Sequence, residues 1–224
     1  MMITAETIET MTRIYLATTN PGKLRELREA AQPCKLEVEP LPALAELPPA
    51  IEDGKTFEEN ARIKAEYYSR HAHGEVVLAE DSGLEVDELG GAPGVYSARY
   101  AAVLAHGVAG HENSDDQANN QALIAQLERF QAGPHAGRYV CVIALAKDGR
   151  TLETFRGKAE GELITTPRGT GGFGYDPLFY FPILEKTFAE LPLAEKRRHS
   201  HRGEAFRRFL EWYMDKAKSP GFFQ

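Results

Sequence analysis

Apolar residues along the chain follow two periods. In some stretches they run together or alternate, as in strands; in others they recur every three or four positions, as on one face of a helix. Residues 13–18 (RIYLAT) read as a buried strand, halted by the breaker Asn20-Pro21-Gly22. Leu24, Leu27 and Ala31 then share one face of a helix predicted over residues 23–31. After a proline-rich stretch at 40–49, Thr56 and Glu59 make a capping box for a helix over 57–71. Residues 75–79 (EVVLA) read as a second short buried strand, ending on the acidic pair Glu80-Asp81. The glycine-rich stretch 83–100 reads as an ordered surface excursion, and 101–116 as a polar loop. Ser114 and Gln117 open another capped helix, with Leu123, Ile124, Leu127 and Phe130 as its apolar stripe.

Residues 139–146, a turn at 147–150 and residues 151–156 make the clearest hairpin, since Asp148-Gly149 suits a type I′ turn. Residues 169–174 (GTGGFG) form a glycine-rich loop, and a last helix from near Ser200 presents Phe206, Phe209, Leu210 and Tyr213 to the core. Strands joined by helices, together with a hairpin, predict a mixed α/β fold built on a mixed sheet.

Composition narrows the function classes. The 224 residues hold no repeat, low-complexity tract or long linker, so one compact domain is expected. The longest apolar run, 139–146, is far short of the ~20 residues a membrane helix needs. The opening MMITAETIETMTR has no basic segment followed by an apolar one, so no secretory signal is expected. Cys34 and Cys141, far apart, make neither a disulfide framework nor a zinc knuckle, which sets the expectation of a reducing, cytoplasmic location. With 26 basic and 33 acidic residues the net charge is −7, which argues against binding a nucleic-acid backbone. A basic pocket for a small anion remains compatible with that balance.

Four segments can carry chemistry. The junction Thr18-Thr19-Asn20-Pro21-Gly22-Lys23 combines hydroxyls, an ammonium and a helix N-terminus, which suits a phosphate; it also reads simply as a capped helix after a turn. Glu80-Asp81-Ser82 at a strand end can hold Mg²⁺ and orient water, with Glu52-Asp53 or Glu58-Glu59 completing the site; the alternative is a solvated acidic turn. In GTGGFGYDP, Phe173 and Tyr175 can stack on a base and Asp176 can accept from its edge, or the segment is only an aromatic-anchored loop. Residues 196–202 (KRRHSHR) place a basic cluster before and at the start of the last helix, either for an anion or as a solvated face.

Taken in order, the segments LATTNPGKLREL, TFEENARIKA, LAEDSGLEVDELGGAPGVYSARYA, GTGGFGYDPLF and AELPLAEKRRHSHRGEAF closely resemble the inosine triphosphate pyrophosphatase family in its bacterial form. They run from about residue 14 to 209. The resemblance implies an elongated mixed sheet flanked by helices, with two lobes around a substrate cleft. It implies a single domain over 12–219 after an N-terminal extension at 1–11, and a homodimer. It also implies Mg²⁺-dependent hydrolysis of ITP, dITP and XTP to the monophosphate and pyrophosphate, which cleanses the nucleotide pool.

Carried over residue by residue, Thr18, Thr19, Asn20, Pro21, Gly22 and Lys23 cradle the phosphates. Asp81 is the proton acceptor and a metal ligand, Ser82 contacts substrate, and Glu52 or Glu80 shares the metal. Phe173, Gly174, Tyr175 and Asp176 match the base-contacting loop. Lys196, His201 and Arg202 match positions that reach the phosphates and the 6-oxo edge of the purine. Three features depart from the usual pattern: Thr19 in place of a frequent glycine, Glu80 in place of a frequent aspartate, and a long segment at 102–113. A pyrophosphatase for other nucleoside triphosphates and a nucleotide-binding module without catalysis are the competing readings.

Overall fold

A short strand with two buried residues starts the sheet: β1 (Arg13–Leu16) sinks Ile14 and Leu16 into the core. Residues 13–107, 113–131 and 133–216 are described by the computed structural model; the extension at 1–11 and part of the long segment after residue 101 lie outside them. Asn20 caps α1 (Pro21–Ala31), its side chain accepting from the amides of Gly22 and Lys23. The chain returns through β2 (Glu37–Pro40), and Thr56 caps α2 (Phe57–Ser69) by accepting from the Glu59 amide. Then come β3 (Val77–Val86), α3 (Tyr100–His106), α4 (Asp116–Leu127) and the long hairpin of β4 (His135–Lys147) and β5 (Arg150–Leu163). Two short strands, β6 (Phe179–Phe181) and β7 (Lys186–Thr187), and two helices, α5 (Leu193–His199) and α6 (His201–Lys216), complete the order. No helix among the described residues is long and apolar enough to cross a membrane.

The strands form one seven-stranded sheet in the order β2-β1-β3-β4-β5-β6-β7. β1 is parallel to both β2 and β3, and the remaining pairs are antiparallel, so the mixed α/β expectation holds. On one face, α1 and α6 bury Leu27, Ala31, Phe206 and Phe209 against Ile14, Leu16, Leu78, Cys141 and Ile143. On the other, α2 packs Phe57, Ala61 and Ala65 against Ala79, Val140, Val142 and Ala144. A separate apolar cluster at the far end of the hairpin joins Leu84, Tyr139, Leu163, Phe179 and Phe188 to Leu123 and Leu127 of α4. Apolar clusters on both faces of the sheet and a further one at the far end of the hairpin are therefore strung along one pair of long strands. Both cysteines are free.

Several elements differ from the sequence reading. β3 does not stop at Glu80-Asp81 but runs on through Val86, because β4 pairs with it without interruption from Val77↔Ala146 to Val86↔Gly137. Part of the predicted surface excursion is thus a core strand. Residues 100–106 are helical rather than loop. Asp115 caps α4, accepting from the Ala118 amide, while Ser114 accepts instead from the Ala102 amide. Phe130 lies beyond that helix and is exposed. The basic segment also divides differently: residues 196–199 form the last turn of α5, where cations suit the helix dipole, and α6 begins at His201.

Candidate active site

Where β1 ends, β3 continues. Leu16↔Leu78 is the last register pair between them, after which the chain leaves β1 for the turn into α1. β2 lies on one side of β1 and β3 on the other, with α1 covering one face of the sheet and α2 the opposite one. Such a reversal of strand order opens a crevice at the carboxyl ends of parallel strands. Glu80, Asp81 and Ser82 sit on β3 just past that point.

Side chains alternate along a strand, so neighbouring acids face opposite sides of the sheet. Asp81 looks toward α2. Its Oδ2 accepts from Asn60 Nδ2 at 3.2 Å, and its Oδ1 lies 3.3 Å from Lys64 Nζ. The same ammonium meets Glu52 Oε2 at 2.8 Å. Asn60 also accepts, through Oδ1, from the Gly54 amide at 2.9 Å, which ties the loop carrying Glu52 to the helix that positions Asp81. Burial raises the Asp81 carboxyl above its ordinary value; Lys64 opposes the rise and Glu52 adds to it. For Lys64, burial favours the neutral amine, but Asp81 and Glu52 reverse this and hold it charged.

Glu80 looks the other way, toward α1 and α6. Lys23 Nζ is 2.7 Å from its Oε1, and Arg202 Nε is 2.9 Å from Oε2 and 3.2 Å from Oε1. The Cys141 thiol lies 3.7 Å from Oε2. Burial would raise this carboxyl, yet Arg202 and then Lys23 outweigh it and hold it well below the usual carboxylate range. Arg202 Nη2 also donates to Ser82 Oγ at 3.3 Å, and Nη1 approaches Glu26 at 3.8 Å. Of the three carboxylates that the resemblance assigns to a metal, the fold gathers Glu52 and Asp81 on one side and commits Glu80 to two cations on the other, while Glu58 pairs with Arg62 and Glu59 accepts from the Lys55 amide.

At the junction after β1, Asn20 Oδ1 occupies the Gly22 and Lys23 amides at 2.8 and 3.3 Å, and the Asn20 amide donates to Thr18 Oγ1 at 3.2 Å. The capping reading is therefore realised, and Lys23 supplies the charge. Thr18, Thr19 and Pro21 line the same turn.

The glycine-rich loop sorts its residues by burial. Phe173 is 48% exposed, with Lys196 Nζ 4.8 Å and the Arg202 guanidinium carbon 5.6 Å from its ring centroid. Tyr175 is buried, and its hydroxyl donates to the Ser97 carbonyl at 2.8 Å. Asp176 is also buried: Oδ2 accepts from the Phe173 amide at 2.8 Å and from Lys196 Nζ. Both residues thus shape the loop, and Phe173 alone among its aromatics is open to a base. Only glycine fits at 172, where φ is +75° and a Cβ would stand 1.9 Å from Asp176 Oδ2. The first turn of α4 grips Gly174 from both sides: Asp116 Oδ2 accepts from its amide at 2.6 Å, and Asn120 Nδ2 donates to its carbonyl at 3.1 Å.

His201, at the start of α6, stacks on Tyr139 with centroids 4.7 Å apart and planes 11° from parallel. Its Nδ1 is buried with no hydrogen-bond partner among the described residues. Burial, reinforced by Arg202, lowers its proton affinity well below that of an ordinary histidine, so the ring is neutral.

Lys64, Asn60, Asp116 and Asn120 escaped the sequence reading. A signal existed for two of them: Asn60 and Lys64 stand four apart beside the buried stripe Phe57, Ala61, Ala65, a spacing that stacks two polar side chains at one edge of a core face.

Comparison with known proteins places this geometry. The model of the Ham1 family matches residues 14–212. A dITP/XTP pyrophosphatase of Acidobacterium capsulatum is 51% identical over 88% of this chain and 96% of its own. One from Thermus thermophilus is 45% identical over 91% of this chain and 92% of its own. Among solved structures, a HAM1 protein from Coxiella burnetii superposes with a TM-score of 0.80 at 36% identity, covering 92% of this chain and all of that one. With its two core-spanning strands, its notch beside β1 and a match over nearly its whole described length, the chain belongs to the Ham1 family.

Proposed function

We propose that this chain hydrolyses ITP, dITP and XTP to the nucleoside monophosphate and pyrophosphate, with Mg²⁺, as a homodimer. The observation that carries the reading is the half-buried Asp81, held by Asn60 and Lys64 beside Glu52, in a notch whose other wall presents Lys23 and Arg202. The activity named for the relatives at 51% and 45% identity supports the substrate class.

The donor set fits Mg²⁺. No group of three or more His, Cys, Asp or Glu side chains among the described residues could hold a metal alone, and Mg²⁺ commonly takes one or two carboxylates and completes its shell with substrate phosphates and water. Asp81 and Glu52 would hold it, and when bound it supplies positive charge to the triphosphate.

The chain's own groups account for the rest. A water oxygen attacks the α-phosphorus, the bond from that phosphorus to the bridging oxygen breaks, pyrophosphate leaves, and the water's proton passes to the Asp81 carboxylate. Lys23 and Lys196 neutralise charge on the phosphates, so positioning and electrostatics suffice without a covalent nucleophile. Phe173 offers a ring face to the base. The terminal nitrogens of Arg202 donate only, so they pair with a 6-oxo group and not with the 6-amino group of adenine. The buried Nδ1 of His201 gives a second hydrogen bond near that edge.

Release of pyrophosphate and IMP from ITP in the presence of Mg²⁺, with ATP as the poor substrate, is the expected result. Asp81→Asn should lower kcat by about 10²–10³. Near-normal turnover in that variant, at unchanged metal affinity, would overturn the assignment.

A further inference from the structure

Glu80 has no part in the chemistry just described, although it is the most heavily engaged carboxylate of the site. We propose that Glu80 is a positioning residue that holds Lys23 and Arg202 ready for the two ends of the nucleotide, and that it does not bind the metal. The inference rests on the proposed function for what those two cations meet.

The contacts divide the cations' donors in a telling way. A carboxylate accepts at about four lone-pair sites. Three are used by Lys23 Nζ and the doubly shared Arg202 Nε, and the Cys141 thiol lies beside a fourth. Lys23 spends one of its three N–H groups there. Arg202 spends its Nε–H on Glu80, while of its four terminal N–H groups one, on Nη2, goes to Ser82 Oγ at 3.3 Å and Nη1 lies 3.8 Å from Glu26. Glu80 thus fixes both side chains without using the donors a ligand needs. Lysine and arginine lose rotamer freedom when a ligand fixes them, and here much of that loss precedes binding.

The same geometry argues against metal ligation. Mg²⁺ needs oxygens at ~2.1 Å in a near-octahedral shell, whereas Arg202 Nε already sits within 3.2 Å of both Glu80 oxygens and Lys23 Nζ 2.7 Å from Oε1. Strand alternation also sends Glu80 to the α1/α6 face, away from the side where Lys64 gathers Asp81 and Glu52.

Steady-state kinetics on wild type, Glu80→Gln and Glu80→Asp test this. Hydrolysis of ITP by the wild type tests the proposed function itself, and the variant ratios test Glu80. Glu80→Gln should raise KM for ITP about ten-fold or more, as loss of a charged hydrogen-bond partner predicts, with the half-saturating Mg²⁺ concentration unchanged. Glu80→Asp, which keeps the charge, should recover most of the lost affinity. A raised Mg²⁺ requirement at unchanged KM would make Glu80 a metal ligand and overturn the proposal, and so would kinetics indistinguishable from wild type. A wild-type measurement serves if Glu80→Gln does not fold. In protein labelled with nitrogen-15 arginine, the Arg202 Nε–H signal should be protected from exchange before any ligand is present. It should stay in place on adding Mg²⁺ alone and move on adding IMP. Displacement by Mg²⁺ alone, or the absence of a protected signal, would overturn it.

Discussion

Lys64 remains charged in a half-buried setting because two carboxylates face it, one from β3 and one from the loop before α2. Replacing it by methionine would leave Asp81 and Glu52 facing each other with no cation between them. Breaking a partly buried ion pair in this way costs up to about 3 kcal/mol, so Lys64→Met should melt below wild type. Added Mg²⁺ should then recover more stability in the variant than in wild type, because a divalent ion can neutralise the same two oxygens. Equal Mg²⁺-induced shifts in the two proteins would argue against a metal held by Asp81 and Glu52. His201 gives a second test. Its proton affinity is lowered in the fold, so below an ordinary value of about 6.5 the unfolded chain takes up the proton first. Stability should be level above that pH and fall by about 1.4 kcal/mol per pH unit below it, until the folded ring also titrates. His201→Gln should flatten the slope; identical slopes in thermal melts from pH 7 to 5 would show that His201 is not held neutral.

At the level of elements, α6 matters for where it is anchored. Gly157 of β5 lies under its first turns, where a Cβ would stand 2.1 Å from the His201 carbonyl and 2.4 Å from the Ala205 amide. Gly157→Ala should push the helix off the sheet at an overpacking cost of about 1–3 kcal/mol and carry His201 and Arg202 out of place. Melting temperature should fall and KM for ITP rise; a variant normal in both would mean that the sheet does not set the helix position. The hairpin, α1, α2 and α6 were legible in sequence because each combines a periodic apolar face with a recognisable cap or turn. The full length of β3 was not. Glu80, Asp81, Ser82 and Gly83 break its apolar run, and the strand persists only because β4 offers an uninterrupted partner distant in sequence. Lys23, Asp81 and Arg202 stood out as charges beside breakers and helix starts. Asp116 and Asn120 did not, since their partner Gly174 is more than fifty residues away.

Across the whole molecule, the sheet works as a partition. Its α2 side carries Asp81, Lys64 and Glu52, its α1/α6 side carries Lys23, Glu80 and Arg202, and the notch past the end of β1 is where one small ligand can touch both. The acidic chain expected to avoid long polyanions therefore keeps two cations at one edge, both held by the single carboxylate of Glu80. The two chemistries are assigned by odd and even positions in one strand. Point substitutions can adjust either side independently of the other. Losing one residue of β3 before Glu80 would exchange the acids between the two walls, and losing two would restore the sides but draw both acids ~7 Å along the strand. Change at this site can thus proceed by replacing letters, whereas the count of letters before Glu80 is held fixed by the pleat itself.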